Sequence, residues 1–241
     1  MSPLLQSILF ALAAAAANIL GGVIVTSYKW ARLSLRYFIA LGSGFMLGTV
    51  FLEMVPESFK LTAKAPALIL LGYVIVHTFE HAFAAHLHFG EETHHDELLN
   101  PVVRISALVG MLVHTFFDGV AIGAGFMVSP AVGVLIFLAV FLHKIPDGFT
   151  ISSIFVSSGY SARTALSAAV SLGVSTLLGV LVVHLVGSGV NYALPLSTGS
   201  TLYVAATDLM PEVNREKGVK MAFIVFAGMA LFLLAQMVMN F

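Results

Sequence analysis

Two histidine–aspartate pairs recur in strongly apolar sequence. Residues 114–119 read His-Thr-Phe-Phe-Asp-Gly and residues 143–148 read His-Lys-Ile-Pro-Asp-Gly, so both follow the pattern His-x-x-x-Asp-Gly. Residues four apart lie on one face of an α-helix, and each histidine is therefore expected to point the same way as its aspartate. The pattern provides four candidate ligands for one ion: His114, Asp118, His143 and Asp147.

Two imidazole nitrogens and two carboxylate oxygens form a ligand set that suits Zn²⁺, and Fe²⁺, Mn²⁺, Co²⁺ and Cd²⁺ would also accept it. The chain has no cysteine, which excludes thiolate ligands and disulfides. A simpler interpretation is that each pair hydrogen-bonds between helices without any ligand. Two matching pairs, each near the middle of its segment, favour the metal site.

The composition is that of a membrane protein. Apolar residues make up 59% of the 241 residues and charged residues only 10%, and the mean hydropathy is +1.00. Apolar runs of about 20 residues predict transmembrane helices. The net charge is −1 and the sequence contains no basic patch, so nucleic-acid binding is not expected.

We predict an all-α membrane protein with eight transmembrane helices in one domain, residues 1–241. The connections are short, and a loop over residues 88–101 is rich in histidine and acidic residues. The predicted spans are approximately 4–26, 37–58, 66–88, 102–127, 131–157, 163–187, 190–211 and 218–240.

The distribution of lysine and arginine predicts the orientation. Of the eleven such residues, Lys144 lies inside a span, and only Lys60 and Lys64 fall on the side with fewer positive charges. The remaining residues share the opposite side: Lys29, Arg32, Arg36, Arg104, Arg163, Arg215, Lys217 and Lys220. This bias places both termini outside the cytoplasm and the loop over 88–101 inside it.

The charged residues near the two pairs are costly in a bilayer. Asp118, Lys144 and Asp147 would each cost roughly 2.5–3.5 kcal/mol at its centre, so a function is expected of them. Together they carry a net charge of −1, which attracts a cation. One divalent ion changes that charge to +1, whereas a second would change it to +3. We therefore predict a single metal ion, with Lys144 in place of a second cation.

A second pattern indicates an internal repeat. The second predicted span ends in Glu53-Met-Val-Pro-Glu and the seventh in Asp208-Leu-Met-Pro-Glu, so both read acid-x-x-Pro-Glu. These spans cross in opposite directions, as do the two that carry the His-x-x-x-Asp-Gly motifs. Inverted repeats around a midplane site are typical of secondary transporters, although Pro-Glu alone also marks helix ends.

With these motifs the chain resembles the ZIP family, the zinc- and iron-regulated transporter-like proteins. The resemblance rests on the eight spans, the histidine-rich loop between the third and fourth, the two His-x-x-x-Asp-Gly motifs and the Pro-Glu endings. It extends over essentially the whole chain. It implies divalent-metal uptake toward the cytoplasm, a 3+2+3 helix arrangement, an elevator-like motion of spans one, four, five and six, and a homodimer.

The resemblance also implies site residues. Four positions match the family's principal metal site: His114, Asp118, His143 and Asp147. Many members place asparagine after the span-four histidine and an acid after the span-five histidine, which adds a second metal. Here those positions hold Thr115 and Lys144, and both substitutions favour a site for one metal.

Other acidic and histidine residues are candidates for the metal pathway. Glu53 lies near the outer end of span two, and Asp208 near the inner end of span seven. Span three ends in His77-Thr-Phe-Glu80-His81, close to the predicted side of metal release. The same five residues match an inverted zinc-protease motif, so an intramembrane metalloprotease that uses these two histidines and the glutamate is an alternative.

Two further alternatives stay open from sequence. A cation diffusion facilitator would export metal with His-x-x-x-Asp pairs, but it predicts six spans and a cytosolic C-terminal domain. A sensor would bind metal without flux. We expect a transporter and not an enzyme, with Zn²⁺ as substrate, no resident cofactor, and a multi-pass location in the bilayer of a plasma (inner) membrane.

Overall fold

The computed structural model describes residues 1–27, 32–83, 101–187, 189–215 and 219–239. Within these ranges the chain is helical and contains no β-strand, which confirms the predicted all-α class. In chain order the elements are α1 Pro3–Ser27, α2 Arg32–Thr49, π1 Val50–Met54, α3 Val55–Leu61, α4 Ala65–Phe83, α5 Pro101–Val128, α6 Pro130–Ser157, α7 Ala162–Val186, α8 Val190–Tyr203, π2 Val204–Leu209, α9 Met210–Asn214 and α10 Val219–Met239.

Six described helices are long and apolar enough to cross a membrane, which makes the chain a multi-pass membrane protein. They are Pro3–Thr26, Arg36–Leu61, Ala107–Val128, Pro130–Ser157, Ala162–Val186 and Val219–Met239. The third and seventh predicted spans are not among them. The third contains a shorter apolar stretch, Ala65–Glu80, and α8 has only 14 residues before π2 begins.

The helix ends follow from local sequence signals. Ser129 caps α6, because its hydroxyl accepts a hydrogen bond from the Val132 amide at 3.2 Å, and Ser161 caps α7 in the same way. A serine oxygen here pairs a backbone donor that has no partner inside the helix. At the other end of α7, Gly187 adopts a φ of +55°, which favours glycine. This helix ends at Val186 and the next described helix begins at Val190.

Both acid-x-x-Pro-Glu motifs coincide with a π-helical segment. Glu53 lies in π1 and Asp208 lies in π2. In each case a proline, Pro56 or Pro211, follows within the first two residues of the next short helix. A π segment accommodates an extra residue in a helical turn and is frequent at functional sites. The sequence echo therefore corresponds to a repeated backbone irregularity.

The helices also pack in matched pairs. α1 packs along α6 as α5 packs along α7, and α2 packs along α10 as α4 packs along α8. Two further contacts, α5 with α8 and α6 with α2, connect these groups. The pattern of contacts is symmetric. It is unchanged when α1 is exchanged with α7, α5 with α6, α2 with α8 and α4 with α10.

The glycines of the two His-x-x-x-Asp-Gly motifs let helix backbones touch. A methyl group at Gly148 of α6 would lie 1.8 Å from the carbonyl oxygen of Asn18 in α1. A methyl group at Gly119 of α5 would lie 1.9 Å from the carbonyl oxygen of Thr176 in α7. Small residues permit this close approach in membrane bundles. Each glycine thus sets the position of the aspartate that precedes it.

We expect Gly148→Ala to destabilise the protein by about 1–3 kcal/mol, because the new methyl group must push α1 away from α6. Gly42→Ala is the matched control, since its methyl group would meet Leu142 side-chain and backbone atoms at an ordinary 3.6–3.7 Å. Thermal unfolding in detergent measures both variants. Equal unfolding temperatures would show that the α1–α6 contact is not as tight as the structure has it.

Candidate metal centre

The four predicted ligands converge. His114 and Asp118 lie on α5, His143 and Asp147 lie on α6, and one ligand atom from each lies within 4.8 Å of the others. All four residues are buried. Among the residues that the structure describes, this is the one group of three or more acidic or histidine residues arranged to hold a metal ion.

Asp118 lies at the centre of the group. Its Oδ2 atom is 3.2 Å from Nε2 of His114 and 3.2 Å from Nε2 of His143. Asp147 is slightly more distant, with its Oδ2 atom 3.5 Å from His114 Nε2 and 3.9 Å from His143 Nε2. These donor atoms face one another across a gap that a cation with ligand distances of about 2.0–2.2 Å would bridge.

Lys144 completes the charge balance of the centre. It is fully buried, and its Nζ atom pairs with Oδ2 of Asp118 and lies 3.3 Å from Oδ2 of Asp147. A buried charge is tolerated only when it is paired and hydrogen-bonded. The lysine therefore neutralises one of the two carboxylate charges and leaves a net charge of −1, as the sequence predicts.

The two histidines are held differently. His143 Nδ1 lies 2.9 Å from the Ala139 carbonyl oxygen. An N–H at Nδ1 donates to that carbonyl, so that in the neutral ring the Nε2 lone pair is available to a metal ion, an arrangement typical of metal-binding histidines. Neither ring nitrogen of His114 hydrogen-bonds to any described residue. A cation between the helices would bind at Nε2 of His114, which faces Oδ2 of both aspartates.

The hydroxyl groups beside the centre are engaged elsewhere. Thr115 donates to the Leu112 carbonyl at 3.2 Å, and Ser175 of α7 donates to the same carbonyl at 2.7 Å. Thr176 donates to the Leu172 carbonyl in its own helix. These hydroxyls each donate their hydrogen to a carbonyl, and Lys144 lies within hydrogen-bonding reach of both aspartates. Both observations agree with a site for one ion.

The pathway candidates do not belong to the group of four residues that forms this centre. Glu53 is partly buried, and its Oε2 atom accepts a hydrogen bond of 2.7 Å from Nε2 of Gln236 in α10. Asp208 accepts a long hydrogen bond of 3.4 Å from the Thr207 hydroxyl. Gln236 is a contact that sequence reasoning missed, because nothing in the spacing of the two residues predicts that α10 packs along α2.

The alternative motif on α4 stays a prediction. His77 is exposed, and its ring packs edge-on against Tyr203 with centroids 5.8 Å apart. Glu80 is partly buried on the same helix. The side chain of His81 and the histidine-rich loop over 88–101 lie outside the described residues, so their relation to this pair is not part of the described structure.

One buried polar residue beside the centre was missed from sequence. Asn18, near the middle of α1, is fully buried, and its carbonyl oxygen is the backbone atom that Gly148 packs against. The signal was available, because an amide in the middle of a predicted transmembrane helix is unusual and often functional. Asn18 belongs to no spaced motif with another polar residue, and for that reason it was not predicted from the sequence.

Comparison with known proteins shows a match to the family model described as ZIP zinc transporter, over residues 91–236. Zinc transporter SLC39A7 of Homo sapiens is 31% identical over 128 residues, which is 47% of this chain and 27% of that protein. Zinc transporter ZIP4 of Mus musculus is 34% identical over 134 residues, 50% of this chain and 20% of that protein.

A longer alignment joins the chain to zinc transporter ZIP13 of Pongo abelii, with 24% identity over 207 residues, 76% of this chain and 60% of that protein. The chain thus aligns with about a quarter of the length of SLC39A7 and a fifth of ZIP4. The matched residues include both His-x-x-x-Asp-Gly motifs, because the family model spans all of α5 and α6.

Proposed function

Because the chain belongs to the ZIP zinc transporter family, we propose that it carries a divalent metal cation, with Zn²⁺ as the first candidate, across a membrane toward the cytoplasm. The convergence of two histidines and two aspartates inside the bundle carries this proposal. A ligand set of two nitrogens and two carboxylate oxygens suits zinc. The metal ion is the transported substrate, and no resident cofactor is needed.

The centre is proposed to bind one ion at a time. A divalent cation between Asp118 and the two histidines would compete with Lys144 for the Asp118 carboxylate. The lysine would then remain paired with Asp147, at 3.3 Å. Such competition weakens binding, which favours a transporter because the ion must be released as well as bound.

We propose eight membrane crossings in a 3+2+3 inverted repeat, with both termini outside the cytoplasm. The consecutive helical segments α2–π1–α3 form the proposed second crossing, and α8–π2–α9 form the seventh. These two crossings are equivalent in the repeat, and α4 is the third crossing. The matched helix pairs and the two π segments support this exchange of halves. Metal-binding residues at the interface of two such halves are typical of secondary transporters.

The grouping of the helices supports an elevator-like movement. α1, α5, α6 and α7 pack on one another, and two of these helices supply all four ligands. The backbone contacts at Gly148 and Gly119 join α1 to α6 and α5 to α7 at contact distance. We propose that these four helices move as one body against α2, α4, α8 and α10 and carry the bound ion with them.

Membership of the ZIP family argues against the cation diffusion facilitator and the metalloprotease that the sequence left open. The chain does not belong to the cation diffusion facilitators, and its relatives are named zinc transporters and not proteases. The finer statements stay proposals: residence in a plasma (inner) membrane, assembly as a homodimer, and a single domain over residues 1–241.

A flux assay distinguishes transport from proteolysis. We expect His143→Ala to lower zinc uptake into liposomes more than about tenfold, because it removes a ligand whose second nitrogen is anchored at Ala139. Glu80→Gln, which neutralises the general base of the protease alternative, should lower zinc uptake less than His143→Ala does, because Glu80 is a pathway candidate and not one of the four residues of the centre. Uptake of radioactive zinc by both variants at equal protein density is the measurement.

The reverse result would decide against transport. If wild-type liposomes take up no more zinc than protein-free liposomes, the proposed function fails. If His143→Ala transports as well as wild type, the centre is not the transport site. Protease activity that survives His143→Ala and disappears in Glu80→Gln would favour the metalloprotease.

A further inference from the structure

The amide of Asn18 is a buried polar group that the proposed centre does not yet use. The residue is fully buried, and neither Nδ2 nor Oδ1 hydrogen-bonds to any residue that the structure describes. Buried amides are normally paired, because an unpaired donor or acceptor in a dry interior is destabilising. Within the described ranges, the other side chain with two buried polar atoms that lack a hydrogen bond is His114, a proposed ligand of the centre.

Asn18 is placed at the level of the metal centre by direct backbone contact. Its carbonyl oxygen lies against Gly148, the residue after Asp147. One turn further on, a methyl group at Gly21 would lie 2.2 Å from the Ile145 carbonyl oxygen. The α1 backbone therefore touches the single turn of α6 that carries Lys144 and Asp147.

The face of α1 that carries Asn18 is turned into the four-helix group. Ala15, three residues earlier, meets Gly173 of α7, where an added methyl group would lie 2.8 Å from the alanine Cβ. Gly22, four residues later, faces Ser152 of α6 in the same way, at 2.7 Å. Residues three and four apart share a helix face, so the amide lies between α6 and α7.

The repeated packing gives Asn18 a counterpart that differs in one respect. Thr176 of α7 contacts Gly119 as Asn18 contacts Gly148. The Thr176 hydroxyl is satisfied inside its own helix, because it donates to the Leu172 carbonyl at 3.2 Å. The amide at the equivalent place in α1 has no such bond to the described residues, so only this copy retains a free donor and a free acceptor.

We propose that Asn18 is a positioning residue of the cation site: its amide oxygen accepts a hydrogen bond from a water molecule bound to the ion. This inference rests on the proposed function. Water on a divalent cation is polarised and is a strong hydrogen-bond donor, and zinc with four ligands can expand to a fifth. A neutral amide holds that water without altering the charge that limits the site to one ion.

Purified full-length protein in detergent provides the test, with zinc itself as the probe. The variants are Asn18→Leu, which removes both polar groups at similar size, and Asn18→Asp, which keeps the acceptor and adds a negative charge. Ser7→Ala is the matched control on the same helix, because Ser7 is fully buried but donates to the Pro3 carbonyl at 2.8 Å. Calorimetric titration measures the Kd for zinc, and thermal unfolding measures the stability of metal-free protein.

We expect Asn18→Leu to weaken zinc binding about tenfold, the usual effect of losing a group that orients metal ligands. Its metal-free unfolding temperature should equal or exceed that of wild type, because leucine replaces an unpaired amide. Asn18→Asp should bind zinc at least as tightly as wild type, and Ser7→Ala should leave the Kd unchanged. A purely structural residue would not weaken zinc binding while leaving the unfolding temperature of metal-free protein unchanged or higher.

Two results would overturn the inference alone. The first is a wild-type zinc Kd in Asn18→Leu, with or without a lower unfolding temperature. The second, which applies even if the leucine variant does not fold, is a zinc affinity of Asn18→Asp more than tenfold below that of wild type. A wild-type protein that binds no zinc would instead overturn the proposed function, and this inference with it.

Discussion

Asp118→Asn should lower zinc transport by more than about 100-fold, the largest loss expected from one isosteric change. The Oδ2 atom of Asp118 contacts both ligand histidines at 3.2 Å and pairs with Lys144. Asparagine keeps the shape but removes the charge that attracts the cation. Losing a direct ligand exceeds the 10–100-fold effect typical of groups that only support one.

Zinc uptake into liposomes measures this prediction, and Glu57→Gln is its control. Glu57 is also a carboxylate within a membrane-spanning helix, but it pairs with the exposed Lys60, far along the chain from the centre. The control should transport like wild type. Undiminished uptake by Asp118→Asn would remove the central residue from the site and with it the proposed coordination.

Lys144→Met should make the stability of the protein depend on metal. Lys144 is fully buried and pairs with both aspartates, and methionine leaves those two carboxylates without their cation. Removing one partner of a buried ion pair costs about 3–5 kcal/mol. We expect a loss of this size in the free energy of unfolding of metal-free protein, and recovery of most of it when zinc is added.

The same residue determines how many ions are expected. Calorimetric titration should give one zinc per chain for wild type and two for Lys144→Asp, because the third carboxylate replaces a repelling charge with a ligand. Lys144→Met should bind one zinc more tightly than wild type, since nothing then competes for Asp118. Two zinc ions bound to wild type, or no metal-dependent gain in stability for Lys144→Met, would contradict the role assigned to the lysine.

Much of the centre follows from local periodicity. The His-x-x-x-Asp spacing places each ligand pair on one face of a helix wherever that helix lies. The long apolar segments on either side predict burial, and buried acids and histidines in such segments need a partner. For these reasons His114, Asp118, His143 and Asp147 could be named without a structure, and all four converge.

The two π segments could not be inferred in this way. Both coincide with an acid-x-x-Pro-Glu motif, but proline and glutamate also mark ordinary helix ends. An inserted residue in a helical turn rotates the chain beyond it by about 100°, but it leaves no mark on composition. The sequence predicted that Glu53 and Asp208 occupy corresponding positions, and the structure places each of them in a π-helical segment.

By itself, the sequence determined the all-α class, the membrane location, the four candidate ligands and the presence of one positive charge among them. Only the tertiary structure decided that Asp118 is the shared centre, that Lys144 reaches both aspartates and that Asn18 lies at the same level. Helical periodicity relates residues within one helix, whereas the rotation and depth of α1 relative to α6, and of α5 relative to α7, depend on backbone contacts at Gly148, Gly21 and Gly119. Those contacts join residues far apart in the chain, and no local pattern specifies them.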